Sequence, residues 1–254
     1  FVVNKNTRFI MKLEIKIFPT PEAVAYRISE EIAALVNRNR ENERDTFIAV
    51  SGGSTPKILF DKLSADFKSI IAWNRLHLFW GDERCVSPDD EQSNYGMTKK
   101  SLLDKVDIPE QNIHRIRGEL DPVKEALRIS AEIRKIVPQK NNLPQFDMNI
   151  LGLGEDGHTA SLFPGKRLRN VSDKICGIAV HPGSGQKRIS LTYEVINNSS
   201  QNIFMVTGIR KADIIFDIMS RNDSYKKFPA ARIKASEELK WYLDEEAASK
   251  IKMP

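Results

Sequence analysis

Cysteine is scarce in this sequence: only Cys85 and Cys176 are present, and no CxxC pair occurs. That excludes a disulfide framework and a cysteine-based zinc site, and it fits a reducing, cytoplasmic setting. No apolar run reaches the length of a membrane span, and the opening residues FVVNKNTRF lack an apolar stretch followed by a small-residue cleavage site. Neither membrane association nor export is expected. Internal repeats, low-complexity tracts and Pro/Ser-rich linkers are missing as well, so a single domain is expected over residues 11–254. Residues 1–10, ahead of Met11, read as an N-terminal extension.

Charge of one sign is also in short supply. Lys and Arg number 39 against 34 Asp and Glu, a net charge of +5. A nucleic-acid partner would call for gathered cations with interleaved aromatics. The densest basic cluster, GKRLRN (Gly165–Asn170), is short, and most other Lys and Arg alternate with Glu on helical segments. Those charges describe a solvated surface, and no nucleic-acid partner is expected. The four histidines, His77, His114, His158 and His181, do not stand at metal-ligand spacing, so no metal is expected. Neither the GxxxxGK[ST] phosphate loop of nucleotide-binding proteins nor a GxSxG nucleophile elbow occurs.

What the chain does contain is a regular alternation of strands and helices. Strand patterns fall at LEIKIF (Leu13–Phe18), TFIAV (Thr46–Val50), LHLFW (Leu76–Trp80) and FDMNIL (Phe146–Leu151). ICGIAV (Ile175–Val180), RISLT (Arg188–Thr192) and NIFMV (Asn202–Val206) continue the series. Between them lie helical patterns from Pro21 to about Asn37, from Pro56, over YGMTKKSLLDKV (Tyr95–Val106), over Val123–Val137 and over KADIIFDIMS (Lys211–Ser220). Strands that alternate with helices, each releasing polar residues at its C-terminal end, predict an α/β fold with a doubly wound, mostly parallel sheet. Ligands of such sheets bind outside those strand ends.

Three loops fall there: SGGST (Ser51–Thr55), GDER (Gly81–Arg84) and GLGEDGHTASLFPG (Gly152–Gly165). The first ends an apolar strand in two glycines and hydroxyls and opens a helix, which is the composition of an anion site or of a tight turn. GLGEDG imitates a dinucleotide fingerprint, yet it comes late in the chain and lacks a placed downstream acid, so no cofactor is expected. His158 follows Gly-Glu-Asp-Gly at a strand end, where an imidazole serves as a general base or as a structural group. Asp156 either orients it or caps a helix, and Arg84 with Asp82 and Glu83 either holds a ligand or braces the loop. Lys211 opens a helix, where its charge opposes the dipole unless an anion lies nearby.

AVSGGSTPKILF, LFWGDERCVSPDDEQSNYGM, FDMNILGLGEDGHTASLFPG, RISLTYEVINNSSQNIFMVTGIRKADII, FPAARIKA and WYLDEEAA together resemble, in order and over nearly the whole chain from Met11, the glucosamine-6-phosphate isomerase/6-phosphogluconolactonase family. The resemblance implies a sugar-phosphate isomerase-like α/β fold and a sugar 6-phosphate ligand. It implies that Gly52, Gly53, Ser54 and Thr55 cradle the phosphate, with Arg188 and Lys211 beside them. Deaminase members follow their histidine with Asn-Glu-Pro, where this chain has Leu162-Phe163-Pro164. That departure favours the lactonase form: hydrolysis of 6-phosphoglucono-δ-lactone to 6-phosphogluconate, the second step of the oxidative pentose phosphate pathway. His158 would activate water, with Asp156 and Arg84 assisting and Asp82 and Glu83 contacting the sugar hydroxyls or fixing Arg84. A deaminase-like enzyme and a catalytically silent sugar-phosphate sensor are the alternatives, and the sensor would have no use for His158.

Overall fold

Computed as a structural model, the chain is described over residues 11–221 and 225–251, so the reading of residues 1–10 as an extension lies outside the described residues. Strand β1 (Lys12–Phe18) leads into helix α1 (Pro21–Glu41), whose start is fixed by Thr20 Oγ1 accepting from the Ala23 N–H and by a first-turn proline. Then come β2 (Thr46–Val50), α2 (Ser54–Asp66), β3 (Leu76–Trp80) and the short β4 (Asp82–Arg84). α3 (Asn94–Ser101), β5 (Ile113–His114) and α4 (Pro122–Ile136) follow. A small hairpin of β6 (Gln139–Lys140) and β7 (Leu143–Pro144) precedes β8 (Met148–Leu151). The last third carries β9 (Arg169–Ser172), β10 (Cys176–Val180), β11 (Lys187–Leu191), α5 (Tyr193–Asn198), β12 (Gln201–Val206), α6 (Ala212–Met219) and β13 (Glu238–Asp244).

Seven strands form one parallel sheet in the order β1-β13-β12-β8-β2-β3-β5. Its central strands β2 and β8 are buried at every residue, as uninterrupted apolar runs require when both faces are covered. The chain moves outward from β2 through β3 to β5, then returns to lay β8, β12 and β13 on the other side of β2. Between β2 and β8 the direction of winding therefore reverses, and the loops leaving their C-terminal ends diverge around a crevice. No described helix is long and apolar enough to cross a membrane.

Two segments expected in the same open sheet lie elsewhere. ICGIAV and RISLT become β10 and β11 of a separate antiparallel sheet, in the order β4-β11-β10-β9. Residues 181–186 join β10 to β11, closed by His181 N–H to Gln186 O at 2.9 Å, a link too short for a parallel crossover. GDER, expected as a loop, contributes β4 to that sheet. Smaller shifts occur at helix ends: α2 starts at Ser54, α1 runs on to Glu41, and the segment from Tyr95 is α-helical only as far as Ser101. The Lys211 segment begins as a 3-10 turn over Ile209–Lys211 before α6. One buried apolar cluster runs through both sheets, joining Ile48, Phe79, Ile150, Phe204 and Tyr242 to Cys176 and Ile189.

Candidate active site

Helices α1, α3, α4 and α5 each start beneath a side-chain oxygen, from Thr20, Ser93, Asp121 and Thr192. Helices α2 and α6 have Gly53 and Lys211 at that position and no side-chain cap. Both uncapped ends open on a single cleft of about 500 Å³ at the reversal of the sheet. Its walls come from Ser51–Thr55 after β2, Gly152–Gly154 and His158 after β8, and Thr207–Lys211 after β12, closed by Asp82, Arg84 and Arg188 of the second sheet. At α2 the first N–H groups are left to the cleft and carry partial positive charge, whereas at α6 the Lys211 and Ala212 N–H groups bond to Gly208 O and Ile209 O.

The glycine loop is fitted tightly. A Cβ at Gly52 would lie 1.7 Å from Asn94 Oδ1, so only glycine lets β2 end against α3. Asn94 is itself held by Nδ2 donating to Asp82 O at 2.8 Å, and Ser51 Oγ donates to Ile150 O at 2.9 Å. Thr55 Oγ1 lies 3.0 Å from Thr207 Oγ1, which ties the loop after β2 to the loop after β12.

His158 stands on the opposite wall with its side chain 26% exposed. Its Nδ1 is 2.5 Å from Asp156 Oδ1, which also accepts the His158 N–H at 3.1 Å. Burial raises the Asp156 carboxyl, but the His158 side-chain hydrogen bond, the charge of that imidazole and backbone N–H donors together outweigh it and hold the carboxyl below its ordinary range. No helix starts there, so Asp156 orients the imidazole and has no helix to cap. Gly154 makes room, since a Cβ there would come within 2.1 Å of His158 Nδ1. Phe163 is buried, 5.0 Å from the His158 ring and 5.2 Å from that of His181 between centroids, with the Arg188 guanidinium 5.6 Å from its own centroid. His181 Nδ1 accepts the Gly183 and Ser184 N–H groups at 3.2 and 3.1 Å, which leaves Nε2 to carry the proton.

Arg84 and Arg188 sit directly opposite each other in the β4–β11 register. Arg84 Nη1 donates to Gln92 O at 2.5 Å, and Arg188 reaches Asp82 Oδ2 at 4.0 Å, yet the Nε of each arginine is buried without a protein partner. Burial lowers the Arg188 pKa, Asp82 offsets part of this, and Arg84 lowers it further. Two like charges paired across a ladder, each with a buried empty donor, leave hydrogen-bonding capacity that the protein does not use. Asp82 is buried between Ser161 Oγ at 2.6 Å and Asn94 Nδ2 at 3.4 Å. Its neighbour Glu83 points the other way along the strand and does not line the cleft. It accepts the N–H groups of Arg84, Asn94 and Tyr95 at 2.7–2.8 Å and so secures α3, while burial pushes its carboxyl up to about 7 against those donors. Of the two roles expected for Glu83, contact with a sugar hydroxyl or fixing Arg84, its place favours the second: it accepts the Arg84 N–H, while strand alternation turns Asp82 and Arg84 toward the cleft.

Lys211 lines the cleft, and among the described residues its ammonium forms no ion pair. The nearby Glu155 carboxylate is instead paired with Arg210, at 3.3 Å. Burial pulls the Lys211 pKa down, partly offset by Glu155. The turn that carries it is tied to the end of β13, with Gly208 N–H donating to both oxygens of Asp244 at 3.0 Å and Ile209 N–H to Glu246 Oε2 at 3.1 Å.

The structure thus gathers Gly52, Gly53, Ser54, Thr55, Asp82, Arg84, His158, Arg188 and Lys211 around one cleft, places Asp156 behind His158, and sets Glu83 apart. Thr207, Asn94, Ser161, His181, Asp244 and Glu246 escaped sequence reasoning. Asn94, Ser161, Thr207 and the DEE of WYLDEEAA lie within the motifs quoted above, but no role could be read from them.

A family model described as glucosamine-6-phosphate isomerases/6-phosphogluconolactonase matches residues 19–241. A 6-phosphogluconolactonase of Aggregatibacter actinomycetemcomitans is 42% identical over 234 residues, covering 91% of this chain and 97% of the relative. A solved structure named devB protein superposes with a TM-score of 0.88 at 40% identity, covering 94% of this chain and all (100%) of that one. A 6-phosphogluconolactonase of Thermotoga maritima gives a TM-score of 0.78 at 27% identity, covering 92% of this chain and 100% of the other.

Proposed function

We propose that this chain, which belongs to the glucosamine-6-phosphate isomerase/6-phosphogluconolactonase family, is a lactone-hydrolysing carboxylic ester hydrolase that converts 6-phosphoglucono-δ-lactone to 6-phosphogluconate. The observation that carries the mechanism is the His158–Asp156 pair facing a cleft of unfilled cationic donors. With Nδ1 held by Asp156, Nε2 is the free nitrogen. It takes a proton from water as the water oxygen adds to the lactone carbonyl, and returns that proton to the ring oxygen as the carbon–oxygen bond breaks. The product carboxyl then ionises. Arg84 offers charge to the oxyanion and to the sugar acid, and the amides of Gly52–Thr55 with Arg188 and Lys211 take the phosphate. Asp82, held from behind by Ser161, faces the sugar hydroxyls.

The deaminase alternative is not favoured. Phe163 fills the place of the carboxylate that deaminase members set beside their histidine, and its buried ring leaves no acid there. Cys85 and Cys176 are both free thiols, which supports the cytoplasm as the working compartment. The direct test is hydrolysis of freshly made 6-phosphoglucono-δ-lactone, corrected for spontaneous opening, beside ammonia release from glucosamine 6-phosphate. Lactone turnover without ammonia is expected, and ammonia release would overturn the reading.

A further inference from the structure

Asp244 presents a contradiction at a site that collects cations. It is a carboxylate, 1% exposed, at the end of β13, and it is bonded to the very turn that delivers Lys211. Placed below an anion subsite, a negative charge should weaken binding by repulsion. Its contacts give it another use. Both oxygens take the Gly208 N–H at 3.0 Å and Oδ1 also takes the Ala247 N–H at 2.8 Å, so the carboxylate is occupied by backbone donors. Glu246, two residues on, takes the next amide of the same turn, that of Ile209. Gly208 has φ +91°, a conformation that favours glycine, and the Lys211 N–H bonds back to Gly208 O at 3.0 Å. The position of Lys211 thus hangs from Gly208, and Gly208 hangs from Asp244.

We infer that Asp244, assisted by Glu246, is a positioning residue for phosphate recognition: by consuming the Gly208 and Ile209 amides it fixes the turn that aims the Lys211 ammonium across the cleft at the glycine loop. The Thr55–Thr207 contact joins the two halves, so the turn is held from β13 on one side and from α2 on the other. The two loops then divide the work. The loop after β2 offers backbone N–H groups, and the loop after β12, its first amides already taken, offers a side-chain cation.

This inference rests on the proposed function for its substrate but not for its test. A charge account and a positioning account predict opposite signs for Asp244→Asn. Removing a negative charge near the phosphate should tighten binding. Putting an amide NH2 against the Gly208 N–H should release the turn and loosen it. We expect Asp244→Asn to raise KM for 6-phosphoglucono-δ-lactone about tenfold, with kcat within about twofold and KM for unphosphorylated glucono-δ-lactone unchanged. An unchanged or lower KM, or an equal rise on both substrates, overturns the inference. Calorimetric titration of wild type and variant with inorganic phosphate reads the same effect without turnover. Weaker phosphate binding in a variant of a protein that hydrolyses no lactone would uphold the positioning role while the functional reading fell. Should Asp244→Asn not fold, the exposed Glu246→Ala keeps the question open to test. A KM rise of about twofold or more confined to the phosphorylated substrate supports the clamp, and a fall or no change removes it.

Discussion

The cleft and the β3–β5 edge of the main sheet are built from the same kinds of side chain and finish them in opposite ways. At the edge, His77 Nδ1 lies 3.0 Å from His114 Nε2, and His114 Nδ1 lies 2.7 Å from Glu132 Oε1. Glu132 pairs with Arg128, which also grips Glu125 at 2.6 and 2.7 Å and donates to Arg115 O at 3.0 Å. The chain of contacts closes on itself. In the cleft, Arg84 and Arg188 hold buried Nε groups with no protein partner, and Lys211 has no acid paired with it among the described residues. Histidine, arginine and carboxylate in proximity therefore say little by themselves. What marks a site is polar capacity left over after the fold has been satisfied.

The largest effect should separate the two histidine environments. His158→Asn keeps polarity but cannot exchange a proton, so kcat should drop by about 10²-fold or more, whereas His114→Asn should leave kcat near that of the wild type. Near-normal turnover of His158→Asn, after subtraction of spontaneous hydrolysis, would make that histidine structural.

The arginines offer the next contrast. Arg188→Met should raise KM for the phosphorylated lactone at least tenfold while changing the unfolding free energy by less than about 1 kcal/mol, because the protein itself supplies this group with few partners. Arg128→Met should do the reverse, costing about 1–3 kcal/mol with KM unchanged, since it strands Glu125 in the interior. Urea unfolding and steady-state kinetics on both proteins decide the matter, and a large stability loss in Arg188→Met would erase the distinction.

The smallest effect concerns pH and the edge network. Burial lowers the pKa of His77 and the neighbouring His114 lowers it further, with Asp45 at 3.7 Å only partly compensating. The folded protein thus binds fewer protons at this position than the unfolded chain, so stability is full above the unfolded value near 6.5 and declines as pH falls below it. Urea midpoints measured from pH 7.5 down to pH 5.5 should drift downward, by an amount worth under about 1 kcal/mol, and His77→Gln should flatten the drift. An unaltered slope in the variant would assign the drift to other groups.

Much of this could be read from the chain itself. The apolar runs of β2, β3, β8 and β12 and the polar residues released after them gave the parallel sheet and its ligand-binding edge, because a strand buried on both faces has a composition no loop shares. The antiparallel sheet was harder to see. A five-residue strand such as β10 has the same pattern in either sheet, and only the short 181–186 link separates the possibilities. Gly52, Asp82, Arg84 and His158, carried by loop motifs, were legible as residues of one cleft, while the turning of Glu83 away from it was not, because side-chain alternation along β4 could not be applied to a segment read as a loop. Thr207 and Asp244 were out of reach for another reason. Their partners, Thr55 and Gly208, lie far away in sequence, and no local pattern records such a meeting.

The pairing of β1 with β13 has a consequence in time. Lys12 and Glu238 stand side by side although 226 residues separate them. Ribosomes extend a chain by about 5–20 residues per second, so β1 waits roughly ten seconds or more for the strand it must lie against. Throughout that interval the emerging sheet has neither its β1 edge nor the β13 carboxylate that anchors the Lys211 turn. Folding nucleated around β2, β3 and β8 can proceed during synthesis, but the Lys211 end of the cleft is finished last, when residue 244 has left the exit tunnel.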